Sequence, residues 1–170
     1  MYRTLYRLLT VIPIALSGVA LPLLAIEERI TGFSSGDTLT IRSAGARMDE
    51  QSDIVHFDGG FELRATDWSL SSDQAILYGK LDDPETVEIS GSPAQILINT
   101  ISHGQASIIN GRARKIVYQR STNSIRMEGD ASISRDEQTM SGGEIEYDIE
   151  KDHLRAGGDG GIHIEIRPDD

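Results

Sequence analysis

Four sets of residues in this 170-residue chain have types and spacings that could carry chemistry. Gly32-Phe33-Ser34-Ser35-Gly36 spells the string of a hydrolase nucleophile elbow, which needs a buried strand before the serine and a helix after it. An apolar leader precedes it here and alternating residues follow, so the match is read as chance. Asp148, Glu150 and Asp152 are spaced like the opening of a calcium loop, but His153 stands where that loop turns on a glycine. Gly157-Gly158-Asp159-Gly160-Gly161 starts like a calcium-binding β-helix repeat, yet Ile162 takes the place of its aspartate and there is a single copy. His56, His103, His153 and His163 are scattered. The lack of cysteine removes thiolate ligands, disulfides and a Cys nucleophile. No catalytic residue, metal ligand or cofactor is therefore expected.

The charge balance narrows the partners. Asp and Glu total 27 against 16 Lys and Arg, a net charge of −11. Phosphate backbones and anionic membrane surfaces are both disfavoured by that field, so no nucleic-acid partner is expected. An acidic protein still binds a lipid when the acyl chains dominate the contact. The basic run Arg112, Arg114, Lys115, Arg120 and Arg126 stands out. It reads as a solvated strand face that offsets nearby acids, in preference to a site for lipid phosphates.

The elements that must position any site begin after a leader. Arg3 and Arg7 precede an apolar run from Leu8 to Ile26, with small residues near two possible cuts, after Ala20 or Ala25. This is the layout of a secretory signal peptide over residues 1–25, with an uncleaved membrane anchor as the alternative. Residues 26–170 read as a single domain. From Thr38 the apolar period is two: Leu39 and Ile41, Val55 and Phe57, Phe61 and Leu63, Trp68 and Leu70, Ile76 and Tyr78, then Ile96 and Ile98. Ile116 and Tyr118, Ile125 and Met127, Ala131 and Ile133, Ile145 and Tyr147, and Ile162, Ile164 and Ile166 continue it. Such alternation makes strands with one apolar and one polar face, and no helical stripe competes. Asp58-Gly59-Gly60, Asp82-Asp83-Pro84, Gly91-Ser92-Pro93, Asn110-Gly111, Gly129-Asp130 and Gly142-Gly143 read as turns or bends.

The strands repeat as a unit. Ile116, Tyr118 and Gly129 recur as Ile145, Tyr147 and Gly158, and an earlier copy places Ala46, Met48 and Gly59 in those positions. Two-strand units that bury one face by stacking on a neighbour imply an all-β fold of stacked repeats, a roll, sandwich or solenoid. Alternation alone leaves open whether the apolar face lines a groove or a filled core.

Ala113-Arg114-Lys115-Ile116-Val117-Tyr118 followed by Ile125-Arg126-Met127-Glu128-Gly129-Asp130-Ala131 resembles the OstA-like repeat of the LptA family of periplasmic lipopolysaccharide-transport proteins. Gly142-Gly143-Glu144-Ile145-Glu146-Tyr147-Asp148, Leu154-Arg155-Ala156-Gly157-Gly158 and the closing Ile162-His163-Ile164-Glu165-Ile166 fit the same template. The resemblance implies an open, twisted antiparallel β-roll (the OstA-like β-jellyroll) whose apolar groove holds lipid A acyl chains. It implies periplasmic export and head-to-tail self-association by strand addition. It also implies docking to an LptC-like partner at the inner membrane and an LptD-like partner at the outer membrane. The inward parity of the alternation names as groove residues Leu39, Ile41, Val55, Phe57, Leu70, Ile76, Ile96, Ile98, Ile116, Tyr118, Met127, Ile133, Ile145 and Tyr147, and the resemblance maps lipid contact onto Leu39, Ile41, Ile96 and Tyr118 among them. Docking edges would be Leu39, Thr40 and Ile41 at one end and Ile162, Ile164 and Ile166 at the other. The alternatives are a membrane-anchored LptC-like component and a structural β-solenoid or adhesin with a filled core.

Overall fold

Period-two alternation becomes one antiparallel sheet in a computed structural model that describes residues 38–49, 51–102 and 105–166. Its eight strands are β1 (Thr40–Asp49), β2 (Ile54–Arg64), β3 (Trp68–Lys80), β4 (Asp83–Ser102), β5 (Gln105–Gln119), β6 (Ser124–Arg135), β7 (Gln138–Asp148) and β8 (His153–Ile166). Each strand pairs with its sequence neighbours in the order β1 to β8, so the sheet is open and β1 and β8 are its two edges. The expected all-β fold is what forms. The leader over residues 1–25 and the Gly32–Gly36 string lie outside the described residues.

The strands are 10 to 20 residues long, which is longer than the glycine signals suggest. Most of those glycines are not strand ends. Every one of the seven pairings carries a register shift, and one from each falls on a single line across the sheet, a second shift in the β3–β4 pair lying apart from it at Tyr78 and Gly79. On one side of that line Asp58, Gln74, Ser90, Lys115, Glu128 and Glu144 pair in succession. A bulge adds residues to one strand, bends it and sharpens its twist. Bulges stacked in register therefore crease the whole sheet. Gly59 and Gly60 sit in this crease with φ of 77° and 85°, a conformation that side chains with a Cβ resist. Gly129, Gly158, Gly160 and Gly161 share that sign of φ on the same line.

The crease divides the sheet into two arms. One arm holds residues 40–43, 61–64, 68–71, 94–102, 105–112, 131–135, 138–142 and 162–166, and the other holds the opposite halves of the strands. Their apolar faces pack on one another. Phe57 and Phe61, on either side of the crease in β2, have ring centroids 5.2 Å apart. Farther out, a Cβ added at Gly111 of one arm would lie 2.8 Å from Met127 Sδ of the other. Asn110-Gly111 is thus no turn. It lies inside β5, where the missing side chain makes room for the methionine.

Real hairpin turns use other chemistry. Asp53, Asn123, Asp136 and Asp152 carry them at φ of 46–51°, a region that Asp and Asn tolerate better than bulkier residues. In β4, β5 and β6 the buried residues beside the crease on the first arm are small (Ala94, Ala113 and Ala131), while in β2 the rings of Phe57 and Phe61 fill it. Away from it the buried residues are large, and each fully buried Leu, Ile or Phe contributes about 1.5–3 kcal/mol.

Candidate functional site

Residues paired across an antiparallel sheet point to the same face, so register turns the alternation into rungs. One rung of the first arm runs Ile41, Leu63, Leu70, Ile96, Gly111, Ile133, Met140, Ile164, from edge to edge. Two rungs of the second arm face it. They run Ala46, Phe57, Ala75, Ile89, Ile116, Met127, Ile145, Ala156 and Met48, Val55, Leu77, Val87, Tyr118, Ile125, Tyr147, Leu154. Between the arms is a slot, creased on one side and with a mouth on the other.

Of the residues expected on the apolar face, Val55, Phe57, Leu70, Ile96, Ile98, Ile116, Tyr118, Met127, Ile133, Ile145 and Tyr147 are buried in the slot. Leu39 and Ile41 are half-buried against the same cluster at the β1 end. Ile76 is the correction. It pairs with His56 and Glu88 on the outer face, while Ala75 and Leu77 point inward. Leu70 and Ala75 are both buried although five positions apart, because the parity of β3 reverses at the crease, where its register with both β2 and β4 shifts. Plain alternation carried across that shift selects the wrong side chains. The same switch makes Ile89 and Ala94 of β4 both inward.

Among the described residues the slot is packed by its own side chains and is also unsealed at its ends. Met48 at the β1 end is 60% exposed, and Ile162, Ile164 and Ile166 at the β8 end are 53–66% exposed. All of them belong to inward rungs whose next neighbour would lie beyond the sheet edge. The expected edge residues Thr40 and Ile41 lie in β1, with Leu39 just before it, and Ile162, Ile164 and Ile166 lie in β8. A cavity of about 110 Å³ remains between the arms near the β8 end, lined by Ile109, Ile133, Arg135, Met140, Tyr147, Leu154 and Ile164 among others.

At that end the mouth is bridged by polar groups that the alternation does not announce. Arg135, the last residue of β6, donates to Asp152 Oδ2 at 2.8 Å and to the Tyr147 hydroxyl at 3.0 Å, and also contacts Asp152 Oδ1. Tyr147 in turn donates to Asp152 Oδ1 at 2.9 Å. The guanidinium carbon lies 5.9 Å from the centre of the Tyr147 ring. The Arg135 hydrogen bond holds the Asp152 carboxyl below its ordinary value. Burial, then the hydrogen bond to Asp152, pushes the Tyr147 phenol up. The bond to Asp152 raises Arg135 further, so this bridge is charged at neutral pH.

Other ion pairs join neighbouring strands within one arm, at its hairpin end or beside the crease. Lys115 meets Glu88 at 2.9 Å, Arg126 meets Glu144 at 3.6 Å and Arg114 meets Asp130 at 3.3 Å, while Arg120 contacts Asp83. The basic run of the sequence is therefore an outer face offset by acids. Asp148 of the calcium-like spacing is held by Lys151, and Asp152 by Arg135.

Comparisons with known proteins agree with this geometry. A family model described as LptA/(LptD N-terminal domain) LPS transport protein matches residues 40–153. Among solved structures, LptH of Pseudomonas aeruginosa, described as the LptA homologous periplasmic component of the conserved lipopolysaccharide transport device, superposes with a TM-score of 0.71. The two are 17% identical, and the match covers 81% of this chain and 100% of that one, a likeness of fold. No curated protein matches the sequence.

Proposed function

The chain belongs to the family of LptA and LptD N-terminal-domain lipopolysaccharide-transport proteins, and from that premise we propose that it is a periplasmic carrier whose slot takes lipid A acyl chains. The family is one of transport proteins rather than enzymes. The observation that carries the reading is an apolar face that crosses all eight strands and, among the described residues, stays uncovered at both edges. A domain stabilised only for its own sake has no need to leave Ile162, Ile164 and Ile166 in water.

The packed interior sets the terms of loading. Acyl chains enter only if the arms part along the mouth, where the arms meet through side chains such as Arg135, Tyr147 and Asp152. The ladders run within each arm and survive such a movement. Burying about ten methylenes contributes roughly 8 kcal/mol. The charged hydrogen bonds of the bridge oppose opening by about 2 kcal/mol, because Asp152 is half exposed and screened. The acyl chains outweigh the bridge, and on entering they re-cover the apolar faces that parting the arms exposes.

A second reading, a structural solenoid with a filled core, is favoured by the same tight packing. A photoreactive amino acid at Tyr118, buried in the slot, separates the two. A carrier is expected to crosslink lipopolysaccharide in cells from Tyr118 and not from Val117 beside it, whose side chain faces the outer surface. No lipid adduct at Tyr118 would leave the filled core as the answer.

The two free edges support head-to-tail assembly by strand addition, to further copies and to LptC-like and LptD-like partners. Successive residues of an antiparallel strand direct their backbone groups to opposite sides. Hence one of His163→Pro and Ile164→Pro removes a donor from the free side of β8, and the other removes one facing β7. The expected result is that one variant loses self-association in light scattering while keeping its melting temperature within a few degrees. Undiminished oligomers in both would exclude β8 as the docking edge.

A further inference from the structure

The rung along the mouth of the slot is apolar until β6. Trp68, Ile98 and Ile109 pair in turn, and the next position holds Arg135. Its fork is bound by Asp152 and Tyr147, yet its Nε is buried with no hydrogen-bond partner. The two ends of the ion pair are unequal. Asp152 has half its side-chain surface in water and Arg135 only a quarter, so the carboxylate can leave for solvent while the guanidinium cannot. An arginine in that position needs another anion if Asp152 moves away. Beside it is the mainly apolar cavity of about 110 Å³ between Ile133, Met140, Leu154 and Ile164, with Gln138 and Thr139 also on its wall.

We propose that Arg135 and this cavity form a binding site for an amphiphile carrying an oxyanion on an alkyl chain, the oxyanion replacing Asp152 on the guanidinium as the chain enters. The inference rests on the carrier reading above and names the charge of its ligand. Arginine's planar fork matches a phosphate or carboxylate in two parallel hydrogen bonds, and phosphate carries the greater charge. The cavity is smaller than the ~150 Å³ void that accommodates benzene. A whole chain therefore fits only when the arms separate, and the exchange removes the Asp152 bridge that holds them together. Ligand charge and arm opening are in this way one event.

Calorimetric titration of the full chain tests it with dodecyl phosphate, dodecyl maltoside and inorganic phosphate, the amphiphiles kept below their micellar concentrations. Dodecyl phosphate is expected to bind about tenfold more tightly than the maltoside. Arg135→Gln should bring that ratio close to one without weakening the maltoside. Asp152→Asn should raise it a few-fold, because the competing charge is gone, and this variant decides the matter if Arg135→Gln fails to fold. Inorganic phosphate alone should neither bind nor compete. Equal binding of both amphiphiles by the unmodified protein overturns the inference and leaves the carrier reading standing. Competition by inorganic phosphate overturns it in favour of a free-phosphate site. If neither amphiphile binds, both readings fall.

Discussion

Replacing Gly111 with leucine is expected to lower unfolding stability by about 3 kcal/mol, and with alanine by about 1 kcal/mol. A Cβ at this position would stand 2.7 Å from Ile96 Cγ2 and 2.8 Å from Met127 Sδ. Ile96 is a neighbour on the same rung, but Met127 comes from the facing arm. Its flexible side chain gives way to one methyl group more easily than to an isobutyl group. The pair also offers an internal control. Met127→Ala, at a fully buried site, is expected to cost about 3 kcal/mol on its own through the void it leaves. In the double variant the new leucine fills that void, so the combined loss should fall short of the sum by about 1–2 kcal/mol. Strict additivity in urea melts would mean that the two arms do not face each other at this point.

Locking the same pair of positions should abolish loading. The chain has no cysteine of its own, so Gly111→Cys with Met127→Cys introduces a single possible bridge. Oxidised, it ties the arms together midway along the slot and leaves both sheet edges untouched. On the proposed carrier reading, in which chains enter only when the arms separate, lipopolysaccharide binding is expected to drop by at least about tenfold and to return on reduction. Thiol titration reports whether the bridge has closed. Full binding by the oxidised protein would show that lipid sits elsewhere, for example on the exposed isoleucines of β8. Together the two experiments divide the problem: the first measures how the arms pack, the second whether they must part.

Much of this was legible from residue order. Ile116 and Tyr118 recur as Ile145 and Tyr147, and in the sheet Met127 and Ile125 between them complete two continuous rungs. The glycine pairs were visible too, but their meaning was not. Gly59-Gly60 and Gly129-Asp130 look like strand ends because turn residues and bulge residues need the same positive φ. Ile76 shows the consequence. Its alternation with Leu70 holds only if parity runs unbroken through the crease between them, and no local pattern reveals that break.

Arg135 was hidden for another reason. As one charge at the end of a strand it resembles any solvated arginine, and its partner Asp152 is 17 positions away. They meet because the hairpin ends of opposite arms converge at the mouth. Backbone pleating is a local property, so residue order alone determined that this chain makes strands with one oily face, and the ordered repeats determined its family. Whether those faces look into water, into lipid or at each other depends on a register shift in each of seven pairings falling on one line. That alignment is a property of the paired sheet, and only the tertiary structure could decide it.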